Sequence, residues 1–274
     1  MQTIAIQQHA VPALGFGTFQ LKDATARQMV REALAIGYRH IDTAQIYENE
    51  AAVGQGIKDA AIARDEIFLT TKVWVDQFRN GDLQRSVDES LQRLGVDYVD
   101  LLLLHWPNPD VPLAETIAAL NEVQQAGKTR LIGISNFTCE LIDQAVALSE
   151  APLATNQVEY HPHLSQAKVL SALARHGMTL TAYSPLAQGK LMDDETLSDI
   201  AASHGVSIPQ VALRWLLQQP QVMAIPRSSK PEHARNNFAV NEFTLSDEEM
   251  QRIHQLARAD GRVINPQSLA PDWD

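Results

Sequence analysis

The chain has 274 residues, 45% hydrophobic and 20% charged, a balance that excludes intrinsic disorder and fibrous repeats. Lys and Arg number 22 against 33 Asp and Glu, and the net charge of −11 argues against nucleic acid or an anionic membrane as a general partner. The single cysteine, Cys139, excludes an internal disulfide and any multi-cysteine metal cluster.

The first residues carry Ile4, Ile6 and Pro12 and are expected to form a short hairpin beneath the main fold. Strand-like runs then follow at residues 14–18, 38–42, 67–72, 98–105, 129–135, 154–159, 179–184 and 222–226. They are apolar throughout rather than alternating, which suits parallel strands buried on both faces. Periodic apolar segments that read as amphipathic helices lie between them, at 24–36, 82–94, 113–126 and 166–176 among others. Those four end at Gly37, Gly95, Gly127 and Gly177, the punctuation expected where a helix turns back into a strand.

Eight strand–helix units without a linker predict one closed (β/α)8 barrel, with residues 1–274 as a single domain. A doubly wound open sheet is the alternative. It usually brings a Gly-rich dinucleotide turn, and Gly15-Phe16-Gly17-Thr18-Phe19-Gln20 lacks the last glycine. The longest clean apolar run, residues 101–104, is far short of the roughly 18 needed to span a membrane. No basic-then-apolar leader is seen, so the expectation is a cytoplasmic protein with no membrane partner.

Chemistry in such a barrel belongs at the C-terminal ends of the strands. The second predicted strand ends at Asp42, with Tyr47 in the loop beyond it. The third ends at Lys72 and the fourth at His105. Singly, these read equally well as a helix cap, a solvated lysine and a structural histidine. Together they form a proton-donating set. Tyr, with an ordinary pKa near 10, is a poor acid at neutral pH unless a neighbouring ammonium stabilises its phenolate. A carboxylate keeps that ammonium charged, and an imidazole can orient a carbonyl oxygen. This is the equipment for carbonyl reduction, with hydride drawn from a cofactor.

The last strand leads into Arg227-Ser228-Ser229-Lys230, then His233 and Arg235, against the single Glu232. This stretch is either a solvated basic turn or the cationic patch that an acidic chain needs to hold a phosphate beside a helix start. His161 and His163 flank Pro162 and read as loop residues, with no third ligand at a metal-binding spacing; no metal is expected.

At these residues the sequence resembles the aldo-keto reductase family. The likeness is carried by Gly37-Tyr38-Arg39-His40-Ile41-Asp42-Thr43-Ala44 with Tyr47, Asn49-Glu50 and Val53-Gly54, then by Thr71-Lys72-Val73-Trp74. It continues through Gly95-Val96-Asp97-Tyr98-Val99-Asp100-Leu101 to His105-Trp106-Pro107, then Gly133-Ile134-Ser135-Asn136-Phe137 and Asn156-Gln157-Val158-Glu159. Tyr183-Ser184-Pro185-Leu186 and Ile225-Pro226-Arg227-Ser228 complete it, so the motifs run in order from about residue 14 to 245.

The resemblance implies a monomeric, NADPH-dependent carbonyl reductase without a metal. Tyr47 would be the proton donor, Lys72 and Asp42 its tuning pair, and His105 the carbonyl orienter. Tyr183 would stack on the nicotinamide, while Ser135, Asn136 and Gln157 would bind its carboxamide. Gly17 and Thr18 would border the nicotinamide ribose, and Ser184 and Leu186 the pyrophosphate. Arg227, Ser228 and Ser229, with His233, would lie at the 2′-phosphate, and Asn237 at the adenine. Phe19, Trp74, Trp106 and Trp273 are the candidate substrate walls beside Tyr47 and His105.

The sequence departs from the family pattern at three positions. Arg227 replaces a lysine, His233 an arginine and Asn236 a glutamate. Arg227 still binds phosphate, but a histidine is neutral for much of the physiological range. NADPH is therefore expected to be preferred, with NADH also accepted. The short form and the ending Leu269-Ala270-Pro271-Asp272-Trp273-Asp274 resemble a compact bacterial branch. Small carbonyls such as methylglyoxal or a diketo sugar acid are the expected substrates. A cofactor-holding sensor subunit with little turnover, and an isomerase using Lys72 as a Schiff base, are the competing readings.

Overall fold

The computed structural model describes residues 2–274. It opens with an antiparallel hairpin, β1 (Thr3–Ile6) and β2 (His9–Pro12), with Thr3 opposite Pro12 and Ile6 opposite His9. Gln2 and Gln7 donate to the carbonyls of Leu217 and Pro152, which precede strands of the main sheet. The hairpin therefore covers the N-terminal end of that sheet, as the sequence predicts.

The main sheet has eight parallel strands: β3 (Phe16–Gly17), β4 (His40–Asp42), β5 (Phe68–Val73), β6 (Val99–Leu104), β7 (Thr129–Ser135), β8 (Leu153–Glu159), β9 (Thr179–Tyr183) and β10 (Val222–Ala224). Each pairs with its sequence neighbours from β3 to β10. The ends meet through parallel bridges, Leu14 to Ala224 and Gly17 to Arg227, and the sheet curls into a (β/α)8 barrel. The first and last strands are shorter than their apolar runs. Pro226 has no N–H for a ladder, though its carbonyl still accepts from Gly17 at 3.0 Å.

Helices α1 (Asp23–Ile36), α2 (Glu50–Asp59), α3 (Asp82–Leu94), α4 (Leu113–Gln125), α5 (Cys139–Leu148), α6 (Ala167–Arg175), α7 (Glu195–His204), α8 (Ile208–Leu217), α9 (Pro231–Phe238) and α10 (Asp247–His254) complete the fold. α7 and α10 lie outside the eightfold alternation. α3 shows why these segments are helical: Leu83, Val87, Leu91 and Leu94 fall on one face and are buried, while charged residues take the other. Gly95 ends it with φ of 68°, a left-handed conformation that a side chain disfavours, and Val96 N–H closes back on Leu91.

β6 carries Leu101, Leu102, Leu103 and Leu104, all essentially inaccessible, each contributing about 2 kcal/mol of burial. Against this apolar frame, the C-terminal strand ends gather polar side chains at one mouth. No helix among the described residues is long and apolar enough to cross a membrane.

Candidate active site

Asp42 ends β4, and Lys72 lies one residue inside the end of adjacent β5. Both are buried, Lys72 completely. Lys72 Nζ donates to Asp42 Oδ1 at 2.5 Å and to the Thr43 carbonyl at 2.8 Å. Asp42 Oδ2 accepts from Gln157 Nε2, on β8, at 2.8 Å. Burial lowers the Lys72 pKa from its ordinary value, while Asp42, and to a smaller degree Glu50, oppose that fall. A buried charge of this kind persists only where partners replace its hydration.

Tyr47 lies in the single helical turn Gln45–Tyr47 that follows β4. Lys72 Nζ is 5.1 Å from its ring centroid. Burial, reinforced by the Asp42 charge, pushes the phenol well above its ordinary pKa of 10. This corrects the lowering that an adjacent ammonium alone would cause. Lys72 is already neutralised by Asp42, so desolvation of the phenolate decides the sign. The phenol keeps its proton, the form needed to donate one.

His105 follows β6 and lies edge-on to two rings, Tyr47 at 5.6 Å and Trp74 at 5.3 Å between centroids. Burial, with a contribution from Lys72, drives its pKa well below the usual histidine value. The imidazole is therefore neutral. Its Nδ1 is buried with no hydrogen-bond partner.

These groups open into a cleft of about 880 Å³. Asp42, Tyr47, His105, Asn136, Gln157 and Tyr183 line it, as do Phe19, Trp74 and Trp106. Gly17, Thr18, Ser184, Leu186 and Arg227 extend the lining along the barrel mouth. Lys72 lies beneath it, reached through Asp42. Ser135 is also set back, its Oγ donating to the Gln157 carbonyl at 2.7 Å. Asn136, at φ of 64°, donates to the His105 carbonyl and accepts from the Tyr183 hydroxyl at 2.8 Å. This ties three strand ends together.

Several expected residues lie elsewhere. Trp273 does not line the cleft. It packs behind Trp106, with centroids 6.2 Å apart, and the Arg262 guanidinium lies 3.6 Å from its ring centroid. Ser228, Ser229, His233 and Asn237 are outside the lining too. Ser228 is buried with its Oγ turned to the Lys230 carbonyl, and His233 is exposed on the first turn of α9. Arg227 reaches back across the end of the cleft, donating Nε to the Phe19 carbonyl at 3.1 Å and Nη2 to Gln20 Oε1 at 3.0 Å.

The sequence reading misses Ile46 and a wall formed by Val263, Ile264, Asn265, Pro266 and Leu269. The tail beyond α10 has no periodicity to flag it. The residues present fit an elongated ligand with a carboxamide-bearing ring near Asn136, Gln157 and Tyr183 and phosphate near Arg227. Amide side chains stand at one end of the cleft and a cation at the other.

Residues 13–258 match the Aldo/keto reductase family. Methylglyoxal reductase DkgB of Escherichia coli O157:H7 is 44% identical over 268 residues, covering 97% of this chain and all of that protein. A crystal structure bearing the name 2,5-diketo-D-gluconic acid reductase B superposes with a TM-score of 0.98 at 51% identity, covering 100% of this chain and 98% of that one. The Bombyx mori aldo-keto reductase, solved in complex with NADP, gives a TM-score of 0.90 at 32% identity, covering 97% and 95%.

Proposed function

The chain belongs to the aldo/keto reductase family, and from that premise we propose that Tyr47, His105, Lys72 and Asp42 carry out its carbonyl reduction, preferentially with NADPH and on small polar aldehydes and ketones. It is an oxidoreductase that uses a nicotinamide cofactor. The observation that carries the assignment of roles is the buried Asp42–Lys72 pair lying under a Tyr47 phenol that is still protonated.

A nicotinamide cofactor, when bound in the cleft, would supply the hydride for the carbonyl carbon. Neutral His105 donates a hydrogen bond to the carbonyl oxygen and fixes its orientation. Tyr47 transfers its phenolic proton to that oxygen as the C–O π bond breaks, so the product is the alcohol. Lys72 stabilises the phenolate left behind, and Asp42 holds Lys72 in place. Solvent then returns the proton to Tyr47.

Asn136 and Gln157 hold the carboxamide, with Ser135 steadying Gln157 from behind, and Tyr183 stacks on the ring. Gly17, Thr18, Ser184 and Leu186 border the ribose and pyrophosphate. Arg227, released from Phe19 and Gln20, would hold the 2′-phosphate at the end of the cleft. The aromatic walls Phe19, Trp74 and Trp106 suit compact carbonyls. The names of the relatives support methylglyoxal or a diketo sugar acid as substrate.

The test is NADPH oxidation with methylglyoxal, comparing the wild type with Tyr47→Phe. The expected result is turnover that falls about a hundredfold or more in the variant, as loss of a general acid requires. A diketo sugar acid is the second acceptor to try. NADPH binding without turnover on either carbonyl would favour the sensor-subunit reading. Equal rates would remove Tyr47 from its role.

A further inference from the structure

Glu159 is the last residue of β8, two positions after Gln157 and so on the same face of the strand. Gln157 serves Asp42. The Glu159 carboxylate is fully buried, and such a group persists only if every oxygen is compensated. Its partners come from the far end of the chain. Val263 N–H donates to Oε1 at 2.7 Å, and Ile264 N–H donates to Oε2 at 2.8 Å. His161 Nε2 lies 2.8 Å from Oε1 and is itself fully buried.

The segment held in this way has no regular structure after α10, so no ladder of its own fixes it. Its course depends on point attachments. Gly261 passes so close to the His163 carbonyl that a Cβ there would collide. Farther along, Asp274 accepts from Cys139 N–H at the start of α5. Glu159 grips positions 263 and 264, which line the cleft together with Asn265, Pro266 and Leu269.

We infer that Glu159 is a positioning residue for the substrate: its bidentate hold on two consecutive tail amides sets the distance between the Val263–Ile264 wall and the Tyr47–His105 pair. β8 thereby fixes both sides of the reaction space, the proton-donating side through Gln157 and the substrate wall through Glu159. This role rests on the reading of the cleft as a carbonyl reductase site. The tail attachment itself does not.

Glu159→Gln tests it, because the carboxamide keeps the shape but sets an N–H₂ against a tail N–H. The expected substrate KM rises about tenfold or more, with kcat within about threefold and NADPH affinity by fluorescence unchanged. Trypsin should cut after Arg262 about tenfold faster in the variant, since local opening becomes easier. Ile264→Pro removes the donor to Oε2 without touching Glu159 and should give the same pattern. The two changes together should raise KM little beyond either alone, as coupled sites do. Unchanged KM and unchanged cleavage in both variants would overturn the inference. A fall in kcat at constant KM would also overturn it, by placing Glu159 in the chemistry. If Glu159→Gln does not fold, cleavage after Arg262 in Ile264→Pro decides, because Ile264 itself lines the cleft and its KM alone would not. If the wild type reduces neither carbonyl, the proposed function fails separately, and the cleavage rates still decide whether Glu159 holds the tail.

Discussion

Gln157 reaches from β8 to donate its Nε2–H to Asp42 Oδ2 at 2.8 Å, although 115 residues separate them in sequence. The other Asp42 oxygen holds Lys72 at 2.5 Å. One carboxylate is therefore shared between a charge partner and a neutral one, and the two should differ in weight. Asp42→Asn leaves the buried Lys72 ammonium without a counter-ion and is expected to cost about 3–5 kcal/mol of stability. Gln157→Leu leaves one lone pair unsatisfied and should cost only about 1–3 kcal/mol. Urea unfolding of both variants measures this. The reverse ranking would mean that Asp42 is not the charge partner that keeps Lys72 in the core.

The proposed mechanism of reduction requires a protonated Tyr47 and a neutral His105. Burial raises the first pKa above its ordinary 10 and lowers the second below its ordinary 6.5, so both required forms dominate across the intervening range. The pH profile of kcat/KM for reduction should therefore show no acid limb at 6.5 and no tyrosine limb at 10. Lys72, lowered from 10.5, is the group expected to bring in the alkaline decline. An acid limb centred on the ordinary histidine value would show that His105 titrates freely and is not buried neutral.

The same burial affects stability. His105 and His40 both have folded-state pKa values depressed mainly by desolvation. Below about pH 6.5 the unfolded chain takes up protons that these folded imidazoles refuse, so stability falls as pH falls. Each histidine adds a slope of up to about 1.4 kcal/mol per pH unit in that window. His105→Gln should flatten the acid side of a stability–pH curve measured by urea midpoint between pH 7 and 5. An unchanged slope would mean that His105 is protonated in the folded state.

Asp42, Lys72 and His105 are legible in the sequence because each stands at or near the end of a strand-like run, and a barrel brings strand ends to one mouth. Tyr47 is legible through its place just beyond Asp42. Its pKa direction is not, because desolvation is a property of the packed cleft and spacing conveys only the neighbouring charge. Trp273 is misplaced as a wall because an unpatterned tail gives no clue to its course. Val263 and Ile264 take that place instead, held by Glu159. His161 and His163 lie just beyond β8, and their contacts to Glu159 and Asp194 are visible only once the fold is formed. The cationic stretch after β10 is plain in the sequence. The turn of Arg227 toward Phe19 depends on β3 lying next to β10, which only barrel closure supplies.

That turn bears on cofactor choice. Arg227 spends two donors on the Phe19 carbonyl and Gln20, so in the proposed cofactor pose a 2′-phosphate must displace those neutral acceptors before it gains the guanidinium. The displacement is favourable, because a charge-assisted pair is about twice as strong as a neutral one. It still reduces the net advantage of NADPH over NADH. His233 lies six residues beyond Arg227, exposed on the first turn of α9, where the family pattern has an arginine. The ratio of kcat/KM for NADPH to that for NADH should therefore fall below about a thousandfold in the wild type. His233→Arg adds a permanent cation and should raise the ratio about tenfold, through the NADPH KM alone. Arg227→Ala should lower it by a similar factor or more while leaving NADH kinetics almost unchanged. Equal losses with both cofactors in Arg227→Ala would place that guanidinium on the Phe19–Gln20 loop alone and away from the phosphate.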